Sequence, residues 1–165
     1  MTRSPRTTGD VSFGIRELSA DDVGDCDGIL TALPQWFGIP DVNAAYIASL
    51  TSRPCYVATD PDDGRVVGFV GIETHSTSSA EILVMGVDPQ LHRSGIGAQL
   101  VHAVIVWCRA NGVAWLHVKT RGPSTYDDDY EKTRQFYRAQ GFEVLYESLT
   151  EWGAEDAALI LVMTV

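Results

Sequence analysis

One stretch of the chain, Glu81 to Leu100 (EILVMGVDPQLHRSGIGAQL), constrains the fold more than any other. Ile82–Val87 is apolar apart from Gly86, which suits a strand buried on both faces of a sheet, and Pro89 ends it. From Ile96 onward, apolar residues recur at steps of three and four: Ile96, Leu100, Val104, Trp107 and Cys108, widened by Val101 and Ile105. That spacing predicts a well-buried helix closed by Asn111-Gly112. Between strand and helix lies Arg93-Ser94-Gly95-Ile96-Gly97-Ala98. Its two glycines remove Cβ atoms and let a ligand approach the backbone. Free N–H groups at the helix start carry the positive end of the dipole, so the turn is an anion site suited to a pyrophosphate, with Arg93 adding charge. Two phosphate motifs are excluded. GxGxxG needs glycine where Leu100 stands, and a P-loop needs Gly-Lys-Ser/Thr where Gly97 is followed by Ala98 and Gln99.

The rest of the chain supplies elements around this unit. A first strand is expected within Val11–Leu18, followed by a helix-start signal at Ser19–Asp22 and helices over Asp21–Leu33 and Asp41–Leu50. Cys55–Thr59 and Val66–Glu73 are β-rich runs joined by Asp-Pro-Asp-Asp-Gly, a hairpin signal. Ala114–Lys119 reads as a strand, Tyr130–Gln140 as a helix stopped by Gly141, and Phe142–Leu149 and Ala157–Val165 as closing strands. The predicted fold class is α/β: a mixed, mostly antiparallel sheet of about seven strands with helices on both faces. No linker or repeat divides 11–165, which reads as one domain behind a flexible tail, 1–10.

Composition narrows the function classes. Of 165 residues, 12 are Lys or Arg and 22 are Asp or Glu, a net charge of −10. A chain this acidic is not expected to bind nucleic acid or anionic membranes generally, so bound phosphate needs a dedicated local site. No apolar run is long enough to span a bilayer, and the first ten residues lack the apolar centre of a secretory signal, so a cytoplasmic location is expected. Cys26, Cys55 and Cys108 are an odd number without CxxC spacing, which indicates neither a disulfide framework nor a metal cofactor.

The segment His92-Arg93-Ser94-Gly95-Ile96-Gly97 resembles the Gln/Arg-x-x-Gly-x-Gly/Ala motif of the GCN5-related N-acetyltransferase (GNAT) superfamily, with His92 at the usual Gln/Arg position. Phe136-Tyr137-Arg138-Ala139-Gln140-Gly141-Phe142 is similar to the family's late helix and the entry to its next strand. Glu81 stands eleven residues before His92, the offset at which histone-type members carry a general base. The resemblance implies splayed central strands and direct acetyl transfer from acetyl-CoA to a small-molecule or peptide amine in a ternary complex. It implies that backbone around Met85, Gly86 and Val87 holds the pantetheine arm and that His92, Arg93, Ser94, Gly95, Ile96, Gly97 and Ala98 hold the pyrophosphate. Glu81 is then the candidate base and Tyr137 the candidate acid, with Trp36 and Phe37 bordering the acceptor. Homodimers are common in the superfamily, and the resemblance admits one here. The competing reading is a non-catalytic acyl-CoA-binding module, which retention of both Glu81 and Tyr137 argues against.

Other residues have plainer readings. His75 and His117 fall near the cleft by strand position, where either could assist as a base, although a structural polar role is the expectation. Cys55 and Cys108 read as buried small hydrophobes. Asp127-Asp128-Asp129 suits either a cation site or a solvated loop that favours the start of the following helix.

Overall fold

A computed structural model describes residues 12–153 and 155–165; the expected tail, 1–10, lies outside them. The elements, in chain order, are β1 (Gly14–Glu17), α1 (Val23–Thr31), α2 (Pro40–Ser49), β2 (Cys55–Thr59), β3 (Val66–Thr74) and β4 (Ser79–Val87), then α3 (Ile96–Ala110), β5 (Trp115–Arg121), α4 (Asp128–Ala139), β6 (Glu143–Ser148) and β7 (Ala158–Thr164). The expected order of strands and helices is the observed one.

The seven strands form one sheet in the order β1-β2-β3-β4-β5-β7-β6. Every neighbouring pair is antiparallel except β4 and β5, which are parallel and need the α3 crossover between them. This parallel ladder is short. It runs from Ser79–Trp115 to Ile82–Val118, and beyond it β4 continues to Val87 and β5 to Arg121 with no rungs between them. The sheet is therefore split at its centre.

Each face of the sheet carries its own core. Ala80, Ile82, Leu116 and Val118 pack with Ile96, Leu100, Val101 and Val104 of α3 and with Tyr137 of α4. Cys26, Ile29, Leu30 and Leu33 pack with Val57, Phe69 and Val84 on the opposite face. Full burial of an aliphatic side chain such as Leu100 or Leu30 contributes roughly 1.5–3 kcal/mol, so α3 and α1 are held chiefly by these stripes.

In β4 the phase of this packing changes. Gly71 pairs with Val84 but Ile72 with Ile82, leaving Leu83 as the extra residue of a β-bulge. Before the bulge Ala80 and Ile82 face α3; after it Met85 and Val87 do. Gly86 consequently lies against α1, where an added Cβ would be 3.0 Å from Ile29 Cγ2.

Candidate active site

The loop between β4 and α3 is shaped by its dihedrals. Asp88 caps a short turn by accepting from Gln90 N–H at 2.9 Å. Arg93 and Gly95 then take left-handed conformations, with φ of 64° and 86°. Gly95 is the N-cap of α3, and its carbonyl accepts the first helical bond, from Gln99 N–H. The N–H groups of Ile96, Gly97 and Ala98 precede that bond and have no helical partner. His92, Arg93, Ser94 and Gly95 are exposed around them. The His92 Nε2–H donates to the Val87 carbonyl at 2.9 Å, bracing the loop on the end of β4.

Gly97 has a different neighbour from the one its place in the motif suggests. A Cβ there would stand 3.1 Å from Cε2 and Cζ of Phe136, so the absence of a side chain lets α3 and α4 approach.

On the other side of the split, Glu81 is buried, 5% exposed, and its carboxylate is the centre of a cluster. The His75 Nε2–H donates to Oε2 at 2.6 Å, and His117 Nε2 lies 3.4 Å from the same oxygen. Lys119 Nζ is 3.9 Å from Oε1 and 2.7 Å from Glu151 Oε1. Burial alone pushes the Glu81 pKa up. Hydrogen bonds from His117 and His75 and the charge of Lys119 outweigh it, holding the carboxyl below its ordinary value. The two rings lie 5.2 Å apart, centroid to centroid. His75, just past β3, is the more exposed partner, at 44% of its side chain. Tyr46 of α2 is half-buried nearby, its phenol raised by burial and by the Glu81 charge.

Tyr137 is buried in the α3-side core, with its ring edge-on to Phe136 at 5.2 Å and to Phe142 at 5.5 Å. Burial raises its phenol far above the ordinary value, so it stays protonated at neutral pH. Thr120 Oγ1, on the stretch of β5 that has parted from β4 but still pairs with β7, is buried and has no hydrogen-bond partner among the described residues.

Trp36 and Phe37, adjacent in sequence, diverge. Trp36 Nε1–H donates to Thr133 Oγ1 at 3.0 Å, and its ring meets His92 edge-on at 6.1 Å, so it bridges α4 and the loop before α3. Phe37 packs edge-on against Tyr46, whose phenol senses Glu81. The three aspartates are engaged locally: Asp127 caps α4 by accepting from the N–H groups of Asp129 and Tyr130, Asp128 accepts from Tyr126, and Asp129 pairs with Lys132. Sequence reasoning missed Lys119, Tyr46 and the convergence of both histidines on Glu81. The available signal was parity: Glu81 and His117 are register partners on one face, opposite Ile82 and Val118.

A hollow of about 470 Å³ lined by Leu18, Arg53, Tyr56 and Trp107 opens near β1 and β2, and none of the clustered groups lines it.

Comparison with known proteins agrees with this geometry. Residues 51–144 match the acetyltransferase (GNAT) domain family. Over 106 residues the chain is 30% identical to a mycothiol acetyltransferase of Thermobifida fusca, covering 59% of this chain and 31% of that protein. The matched stretch is thus about a third of that relative's length. Among solved structures, the fold is similar to Ard1 from Thermoplasma volcanium, with a TM-score of 0.76 and 22% identity over 94% of this chain and 99% of that one. It is also similar to a GNAT family acetyltransferase from Elizabethkingia anophelis solved with acetyl-CoA bound, with a TM-score of 0.67 and 18% identity over 93% and 98% of the two chains.

Proposed function

Because the chain belongs to the GNAT acetyltransferase family, we propose that it transfers acetyl from acetyl-CoA directly to the amine of a small molecule or peptide in a ternary complex. The observation that carries this reading is the position of the Glu81 cluster one rung before β4 and β5 part. A thioester entering the split from the α3 side would meet an amine entering from the side of His75.

The residues present fit the donor substrate. The open N–H groups of Ile96, Gly97 and Ala98, beside Arg93, suit its pyrophosphate. The unpaired edge of β4 over 83–87 suits the amides of its pantetheine arm.

In transfer, the amine nitrogen attacks the thioester carbonyl, a C–N bond forms, the C–S bond breaks, and the thiolate takes a proton. The amine must first lose its own proton. Glu81, buried and held below its ordinary value, is a weak acceptor of that proton. His75 is better placed: it reaches solvent, and Glu81 accepts from its Nε2–H and orients the ring, leaving Nδ1 to face the amine proton. Tyr137 is assigned the thiolate proton by its place on the late helix; burial keeps its phenol protonated and, by the same shift, makes it a reluctant donor. Holding both reactants in one cleft supplies much of the remaining acceleration.

Thiol release from acetyl-CoA across a panel of small-molecule and peptide amines tests the proposal. Release above background with at least one amine is expected. Tight acetyl-CoA binding without release for every amine would instead mark a binding module.

A further inference from the structure

The ligating atoms of His75, Glu81 and His117 all lie within 4.8 Å of one another, and we infer that they bind a zinc-class divalent cation. Two imidazoles and one carboxylate, with a fourth direction open to water, are a donor set that Zn²⁺ takes readily. Imidazole donors favour such an ion over Mg²⁺ or Ca²⁺, which prefer oxygen ligands.

The scaffold is rigid where it needs to be. Glu81 and His117 are register partners in the sheet, while His75 sits just past β3 and is exposed enough to admit an ion. Both rings aim Nε2 at one oxygen, Oε2, at 2.6 and 3.4 Å. Donors around a tetrahedral Zn²⁺ with bonds of about 2.0–2.1 Å stand roughly 3.3 Å apart, so the His75 Nε2–Oε2 contact has to lengthen by less than about 1 Å and the His117 contact is already near that length. Each coordinating ring must carry its proton on Nδ1. A neutral ring therefore changes tautomer, and a charged one releases a proton. Lys119 stands at the other oxygen, Oε1, with its charge opposed by Glu151. The three cysteines offer no rival site: all are buried, which pushes their thiols up to about 12, 12 and 11 for Cys26, Cys55 and Cys108.

The ion is not a cofactor for acetyl transfer. It takes Nε2 of His75 and so puts the ring's proton on Nδ1, the nitrogen otherwise left to receive the amine proton, and Zn²⁺ therefore blocks transfer. That consequence rests on the proposed function, whereas the site does not.

Calorimetric titration of the full chain with Zn²⁺ alone, paired with visible absorption of added Co²⁺, tests the site. One ion per chain and the intense bands of tetrahedral Co²⁺ are expected. His75→Gln and His117→Gln should each weaken binding by at least about tenfold. His102→Gln, an exposed change on α3, should leave affinity within about twofold. Unchanged affinity in both cluster variants, absence of binding, or the pale spectrum of octahedral Co²⁺ overturns the site. Binding with the expected variant pattern but no effect of Zn²⁺ on thiol release supports the site and removes the base role instead.

Discussion

Glu81 and His117 face each other on the penultimate rung of the β4–β5 ladder, with His117 Nε2 3.4 Å from Glu81 Oε2; after Ile82 and Val118 the strands separate. The carboxylate is thus fixed by the sheet, while its nearer hydrogen-bond partner, His75, comes from outside any strand.

The division of labour between them is measurable. His75→Gln should lower kcat by about 10²–10⁴-fold, and Glu81→Gln should do the same by leaving the ring unoriented. Acetyl-CoA affinity, read by calorimetry, should stay nearly constant in both, because the α3 start lies elsewhere. A His75→Gln protein with full kcat would return the base role to Glu81 or to water.

Tyr137→Phe keeps both edge-on ring contacts, so Tm should hardly move while kcat falls by about 10²-fold or more. Because burial raises the phenol, an acid at this position loses its proton only above the ordinary tyrosine range. The kcat profile of the unmodified protein should therefore show no basic limb from this group between pH 7 and about pH 10. A limb in that window that vanishes in Tyr137→Phe would contradict the burial argument. Tyr137→Ala, by contrast, should cost about 3–5 kcal/mol as a core cavity.

At Gly97 the test is steric. Gly97→Val drives its side chain into Phe136 and should cost about 1–3 kcal/mol while prising α3 from α4. Acetyl-CoA affinity should drop at least about tenfold as the loop is displaced. Adding Phe136→Leu makes room and should recover part of both losses. Failure of that double variant to recover either would move the cause from the helix contact to the loop itself.

Asp22 controls an acid-sensitive contact. Its carboxylate accepts two bonds from the Arg16 guanidinium, at 2.7 and 2.8 Å, and two from Ser19, and these hold it well below the usual carboxylate range. The sign follows from that depression: the stabilisation is complete above about pH 4 and is lost as pH falls toward the lowered folded value. Denaturant unfolding at pH 6 and pH 3 should show Asp22→Asn destabilised at pH 6, by about 1–3 kcal/mol, and closer to the unmodified protein at pH 3. An equal gap at both values would show that the shape of the side chain matters, not its charge.

What the sequence could reveal followed from period. The steps in Ile96–Cys108 and the apolar run Ile82–Val87 are local patterns, and both became the elements they suggested. Polar residues inside elements were harder. β4 begins at Ser79, before the apolar run, because Glu81 satisfies its carboxylate with His75 and His117 and so is tolerated in a buried strand. Reading those histidines as plain polar residues failed to anticipate their convergence, since it depends on the register of β4 against β5, a tertiary fact. Trp36 and Phe37, both expected from the family resemblance to border the acceptor, are sent apart by a turn, one toward His92 and the other toward Tyr46.

The bulge at Leu83 makes β4 a strand with two independent reading frames. Ahead of it, odd positions such as Glu81 look toward the α1 layer; behind it, odd positions such as Met85 and Val87 look toward α3. Straightening the bulge with Leu83 kept in the ladder would impose one frame on the whole strand and turn Met85 toward the niche by α1 that Gly86 fits only because it lacks a side chain, whereas deleting Leu83 would leave both halves on their present faces. The face that carries Glu81 and the face that carries Met85 and Val87 can therefore change separately along a single strand, each half answering to a different helical layer, for as long as that one extra residue keeps them out of step.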